Sequence, residues 1–296
     1  MAQFGPVLTA MVTPFTPSGE LDLEAAQNLA RYLVVNGNDG VVVAGTTGEA
    51  PTLSHDEQAQ LFTAVREALP DHTVIAGTGS NDTRAAIHNT ERATEAGVDG
   101  ILVVTPYYNR PSQAGIELHM REVAKATDKP VILYDIPVRT GRKIETDTLL
   151  RLAEVDNVVA IKDAAGDPAE TARLLSLAGG AYEIYSGDDS LTLPLLSVGA
   201  VGVIGVATHW VGKQMSEMIA AYHKGYIAEA AALNATMIPS YVYEAYPDAP
   251  NPVPSKVMMN LLGLSVGECR SPMGPAPGDL VDRAKAVLAD LGRSVA

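Results

Sequence analysis

The sequence predicts an α/β fold, a (β/α)8 TIM barrel with a C-terminal helical extension, on three observations. Short runs rich in β-branched residues recur eight times. Helical 3.6-residue periodicity fills the intervals between them. The 296 residues match one such barrel with roughly 80 to spare.

Taken in order, the first strand candidate is VLTAMVTPF (7–15), followed by the helical pattern LDLEAAQNLARYLVVNG. GVVVAGTTGE (40–49) comes second. The helix after it, SHDEQAQLFTAVREAL, opens on Ser54 with Glu57 three residues on, the signature of a capping box. TVIAGTGS (73–80) is third, and DTRAAIHNTERATEAG then starts at an aspartate cap and stops at Gly97. GILVVTPYY (100–108), PVILYDIP (130–137), VVAIKDAAG (158–166), YEIYSGDD (182–189) and VGVIGVATH (201–209) complete the eight. Residues 1–210 are expected to form the barrel that carries the active site. Residues 211–296 are expected to hold its last helix and the extension, packed on the barrel or on a neighbouring subunit.

Composition narrows the class of function. The net charge is −14 and no Lys/Arg cluster appears, which argues against a nucleic-acid partner. The single cysteine, Cys269, allows no internal disulfide and fits a reducing cytoplasm. The N-terminus MAQFGPVLTAMVTPF lacks the basic start of a signal peptide. The longest apolar stretch, LTLPLLSVGAVGVIGVATHW, contains Pro194 and glycines, so it reads as helix–loop–strand or strand–turn–strand, not as a membrane span.

Barrel active sites gather at the C-terminal ends of the strands. Those ends carry Thr46, Thr47 and Glu49, then Tyr107 and Tyr108, Tyr134 with Arg139 just beyond, Lys162, and Gly187, Asp188 and Asp189. Lys162 ends an apolar run. Desolvation there lowers an amine's pKa, and a neutral amine attacks a ketone to give a Schiff base, whose protonated form is an electron sink. The competing reading is a lysine that snorkels to water or pairs with Asp163. Tyr134 is either a proton shuttle or a core aromatic. GTTGE is either a carboxylate-binding nest or an ordinary turn whose threonine caps the next helix. Arg139 is either a carboxylate fork or a loop arginine. Metal chemistry has little support: the histidines (55, 72, 88, 119, 209, 223) are scattered, and SGDD reads as a turn before it reads as a Mg²⁺ site.

GTTGE, VTPYYNRPSQ, YDIPVRTG, IKDAAGD, SGDD and NPVPSK occur in this order. Together they resemble the dihydrodipicolinate synthase group of the N-acetylneuraminate lyase superfamily, over nearly the whole chain. The resemblance implies a cytoplasmic homotetramer, a dimer of dimers. It would condense pyruvate with L-aspartate 4-semialdehyde to 4-hydroxy-tetrahydrodipicolinate, on the route to diaminopimelate and lysine. It further implies that Lys162 carries the pyruvate Schiff base, with no metal or organic cofactor. Tyr134, Thr47 and Tyr108 would relay protons, with Tyr108 reaching into the neighbouring subunit's site. Thr46 and Thr47 would hold the pyruvate carboxylate, Arg139 would steer the semialdehyde, and Gly187 and Ile204 would line the site. Aldolases for 2-keto-3-deoxy sugar acids or N-acetylneuraminate share the scaffold, and a non-catalytic keto-acid-binding barrel is the third possibility. In feedback-inhibited members of the group, lysine binds at positions matching Ala50, Pro51, His55, Gln58, Asn81, Ala85 and Tyr107. Gln58 and Ala85 stand where such members carry histidine and glutamate, so weak or absent lysine feedback is expected.

Overall fold

The structure, a computed structural model, describes residues 2–293. Eight parallel strands close into a barrel in sequence order. They are β1 (Val7–Ala10), β2 (Gly40–Val43), β3 (Thr73–Gly77), β4 (Gly100–Val104), β5 (Val131–Asp135), β6 (Val158–Asp163), β7 (Glu183–Ser186) and β8 (Gly202–Gly205). Pairing of Leu8 with Ile204 shuts the barrel between β1 and β8. The outer layer consists of α1 (Leu23–Val35), α2 (His55–Ala68), α3 (Thr83–Glu95), α4 (Gln113–Lys125), the single turn α5 (Pro137–Thr140), α6 (Thr146–Leu152), α7 (Pro168–Ala178), α8 (Thr192–Val198) and α9 (Thr208–His223). The extension is α10 (Ile227–Glu244), α11 (Val253–Leu261) and α12 (Leu280–Asp290).

The caps behave as the sequence requires. Ser54 and Glu57 form a reciprocal capping box at α2. Asp82 caps α3 by accepting from the Arg84 N–H, and Gly97 beyond it takes a left-handed φ of 77°. The apolar stretch through Pro194 resolves into α8, a loop, β8 and the start of α9. Among the described residues no helix is long and apolar enough to cross a membrane.

Two hydrophobic clusters follow from the two-residue side-chain period of the strands. Val41 and Val43 of β2 face the helices, while Val42 faces the barrel interior. On β5, Val131 and Leu133 point outward and Ile132 and Tyr134 inward. Each aliphatic side chain buried this way contributes about 1.5–3 kcal/mol. On β6 the same alternation sends Ala160 inward and Ile161 outward, so Lys162 is committed to the interior face.

Two expectations need correction. The first apolar run reaches Phe15, yet β1 stops at Ala10. Met11, Val12 and Phe15 are buried beyond the strand: the Met11 N–H donates to the Val42 carbonyl, the Val12 N–H to His209 Nε2, and the Phe15 N–H to the Val266 carbonyl of the C-terminal extension at 3.1 Å. The expected boundary at 210/211 falls inside α9, which begins at Thr208 and has its one non-helical residue at Val211.

The extension is tied to the barrel by a buried charge network. Lys256 Nζ lies 2.7 Å from Glu49 Oε1, with both side chains almost fully buried, and donates to the Glu268 carbonyl at 2.9 Å. The Arg270 N–H donates to Glu49 Oε2 at 2.8 Å. The Arg270 guanidinium donates to Glu57 and to the carbonyls of Thr52 and Gly19. Both cations lie over the Phe15 ring, each 4.2 Å from its centre. The GTTGE loop is therefore held from its acidic end by residues more than two hundred positions away.

Candidate active site

Lys162 is only 4 % exposed, and its amine lies 4.3 Å from the centre of the Tyr134 ring. Strand register explains the meeting: Tyr134 and Lys162 are paired across β5 and β6, both on the inward face. Gly187 opens the space that the lysine stem needs. A Cβ at position 187 would stand 2.8 Å from the Ala164 Cβ and 3.1 Å from the Lys162 Cγ. Burial lowers the Lys162 pKa to about 8, against the opposing pull of Asp189, while Arg139 adds to the lowering. Asp163 lies on the other face of the strand, where it accepts from the Ala165 N–H at 2.9 Å and the Thr171 hydroxyl at 2.5 Å. Neither snorkelling nor an Asp163 pair describes this lysine.

Filling position 187 gives a sharp test of that geometry. Gly187→Ala forces Ala164 or the lysine stem to move, and misplacing a reacting group by about 1 Å costs roughly 10²-fold in rate. We expect kcat/KM to fall by about that factor with the fold retained. Steady-state rates and a thermal melt measured together check it, and an unchanged kcat/KM would contradict the steric account.

Burial raises the Tyr134 phenol to about 12, with Arg139 and the Thr46 hydroxyl pulling it back down. This corrects the expected relay, because Thr46, not Thr47, faces the tyrosine. Adjacent residues of the turn project in different directions. Thr47 is turned under the extension, where its hydroxyl accepts from Asn251 Nδ2 at 2.9 Å. The loop is held by hydrogen bonds from Glu49 N–H to the Thr46 carbonyl (3.1 Å) and from the Thr13 hydroxyl to the Gly48 carbonyl (2.6 Å). Among the described residues the N–H groups of Thr46 and Thr47 have no acceptor within the protein, and both residues line the cavity above Lys162. Two adjacent unpaired N–H groups are donors that a carboxylate can use.

The cavity has a volume of about 350 Å³ and is open at the strand ends. Thr46, Thr47, Tyr134, Arg139, Lys162 and Gly187 all contribute to its wall. Arg139 is exposed, on α5, at the rim. Ile204 does not contribute: its side chain is fully buried in the barrel interior, and Val206 stands in the wall instead. Tyr108 is also outside the wall. It is 90 % exposed on the β4–α4 loop, with a left-handed φ of 71°. The sequence reading missed Tyr241, Glu244 and Asn251, which the extension lowers onto the cavity. The only signal for them was NPVPSK, which contains Asn251.

Asp188 Oδ1 accepts from the Ser190 N–H and hydroxyl, and Asp189 Oδ2 from the Val206 N–H, so SGDD is the expected turn. Among the described residues no cluster of His, Cys, Asp or Glu is arranged to hold a metal. Burial pushes the Cys269 thiol up to about 12, which suits a structural cysteine.

The positions matched to a lysine site are partly gathered in the single chain. Ala50, Pro51 and Tyr107 line a second hollow of about 180 Å³ that shares Thr46, Tyr134 and Arg139 with the first. His55 Nδ1 is paired with Asn89 Oδ1 at 2.5 Å, and the Gln58 amide donates to the Ala50 carbonyl at 3.2 Å. The Asn81 carbonyl accepts from Asn109 Nδ2.

Residues 3–291 match the model of the Dihydrodipicolinate synthetase family. The 4-hydroxy-tetrahydrodipicolinate synthase of Thermosynechococcus vestitus is 48 % identical over 294 residues, covering 99 % of each chain. The dihydrodipicolinate synthase of Cyanidioschyzon merolae, solved with lysine bound, superposes with a TM-score of 0.95 at 40 % identity, covering 98 % of each chain. The chloride-inhibited enzyme of Acinetobacter baumannii, complexed with pyruvate, gives a TM-score of 0.93 at 35 % identity, covering 98 % of this chain and 99 % of that one. On its fold, its site and this likeness, the chain belongs to the dihydrodipicolinate synthetase family.

Proposed function

We propose that this protein condenses pyruvate with L-aspartate 4-semialdehyde to 4-hydroxy-tetrahydrodipicolinate, in the biosynthesis of diaminopimelate and lysine. The observation that carries this reading is a buried amine with a depressed pKa, set in register beside a buried phenol. Neutral Lys162 attacks C2 of pyruvate. The carbinolamine loses water and leaves a protonated imine. That imine draws electrons from the methyl carbon, which gives up a proton and becomes the enamine nucleophile. Attack on the aldehyde carbon forms the new C–C bond. The amino group of the semialdehyde then displaces Lys162 from C2, closing the ring and freeing the enzyme.

The protein's part is positioning and proton transfer. Tyr134, coupled to Thr46, moves protons at the carbinolamine oxygen. The free N–H groups of Thr46 and Thr47 bind the pyruvate carboxylate, and Arg139 at the rim receives the carboxylate of the semialdehyde. The protonated imine on Lys162 is the electron sink, so no metal or organic cofactor is needed. The near-complete exposure of Tyr108 supports its insertion into a neighbouring subunit of a homotetramer. The lone, half-buried cysteine fits a cytoplasmic location.

Steady-state assays with pyruvate and either aspartate semialdehyde or a sugar aldehyde test the acceptor. Turnover confined to the semialdehyde supports the proposal, and preference for the sugar aldehyde makes the protein a sugar-acid aldolase. We also expect lysine to inhibit weakly or not at all. Ala85 offers no carboxylate to its ammonium group, and the Gln58 amide is already committed to Ala50. A flat inhibition curve into high millimolar lysine agrees, and sub-millimolar inhibition contradicts it.

A further inference from the structure

Two carboxyls in the cavity wall have no part in the scheme above. Asp189 follows β7 and is 2 % exposed. Glu244 is the last residue of α10, and both line the cavity. The two carboxyls lie within hydrogen-bonding reach of each other. Asp189 Oδ1 and Glu244 Oε2 are closed to solvent, and among the described residues neither has a donor. The other oxygen of Asp189 is occupied by the Val206 N–H at 2.7 Å, and the absence of a side chain at Gly205 leaves Asp189 the room it occupies.

The groups around the pair offer no second cation. Asp188 adds negative charge from the same turn, and Tyr241 of α10 is a neutral phenol facing all three acids. His209 of α9 is turned to the Val206 carbonyl and the Val12 N–H, and burial lowers it to about 4, so it stays neutral. Lys162 is the cation whose charge acts on Asp189, and Arg139, at the rim of the same cavity, is not among the charges that shift either acid. Two adjacent carboxyls with oxygens closed to solvent disfavour a second negative charge, and a hydrogen bond between them needs a hydrogen that only one of the acids can supply.

We propose that Asp189 and Glu244 share one proton and present a single negative charge to Lys162, which balances the iminium once pyruvate is bound. Burial raises Asp189 to about 6 and Glu244 well above the usual carboxylate range, in keeping with one retained proton. Both are positioning residues that act through Lys162. The purpose of the pair rests on the Schiff-base reading, but the shared proton does not.

Two readouts separate these claims. The first is the infrared spectrum of the free enzyme at neutral pH. We expect a protonated-carboxyl stretch that E244Q loses, and a wild-type spectrum equal to that of E244Q overturns the proposal whatever Lys162 does. The second is the pH dependence of borohydride trapping with pyruvate, whose acid limb reports the Lys162 pKa. E244Q replaces a neutral acid by a neutral amide and leaves that limb in place. D189N/E244Q removes the negative charge and moves the limb down by about one pH unit. A shift of that size in E244Q alone means both acids were ionised, and no shift in the double variant means the pair does not act on the lysine. Either result overturns the proposal. Should the double variant not fold, the wild-type spectrum and E244Q decide the matter alone.

Discussion

Lys162→Ala is expected to lower kcat by at least about 10⁴-fold, because no other group in the cavity can form the imine. Lys162→Arg should fail equally. A guanidinium keeps the charge and much of the length, but it stays protonated and does not add to a ketone. Both variants should fold, since the lysine stem borders an open cavity and its amine makes no direct ion-pair contact, Asp189 acting on it only through its charge. The pH dependence follows from the depressed pKa, and its sign is fixed. The reactive form is the free base, so imine formation should rise about tenfold per pH unit below about 8 and level off above it. An unperturbed amine would instead keep rising toward 10.5. Stopped-flow measurement of imine formation across that window separates the two curves.

The second large effect concerns stability. Lys256→Met removes one partner of the buried Glu49–Lys256 pair and leaves the glutamate carboxylate enclosed without its cation. Breaking such a pair from one side costs about 3–5 kcal/mol. For a chain of this size that lowers Tm by on the order of 10 °C. Activity should fall as well, because Glu49 ends the loop whose N–H groups face the cavity. Pairing Lys256→Met with Glu49→Gln should recover part of the loss, since two neutral groups leave no buried charge. Lys285 supplies the contrast. Its ion pair with Asp282 is exposed and 3.8 Å long, so Lys285→Met should leave the melt unchanged. Equal effects at positions 256 and 285 would mean that burial does not set the strength of the network.

Lys162 and Lys256 mark the limit of what the sequence makes legible. The eight strands, the capping box and the Asp82 cap are local signals, written in two-residue and 3.6-residue periods and in short polar spacings. Lys162 and Tyr134 could be read for the same reason, since each ends an apolar run and the barrel rule places strand ends in one bowl. Lys256 breaks an apolar helical run in the same way, in VPSKVMMNL, but its role depends on Glu49 over two hundred residues earlier, and no local pattern contains that pairing. Thr46 and Thr47 are indistinguishable as neighbours in GTTGE. What separates them is Asn251, which takes the second hydroxyl and leaves the first to Tyr134. Tyr241 and Glu244 were invisible as site residues because the packing of α10 against α9, not the order of the chain, delivers them to the cavity.

The most direct test is chemical trapping of the amine. The protein is incubated with pyruvate, reduced with borohydride, and digested for peptide mass analysis. The account predicts one modified residue, Lys162, carrying reduced pyruvate, with Lys256 untouched despite its equal burial because its ammonium is held by Glu49 and Glu268. Omitting pyruvate should abolish the modification. An unmodified Lys162, or label on another lysine, would contradict the claim that this amine is the nucleophile.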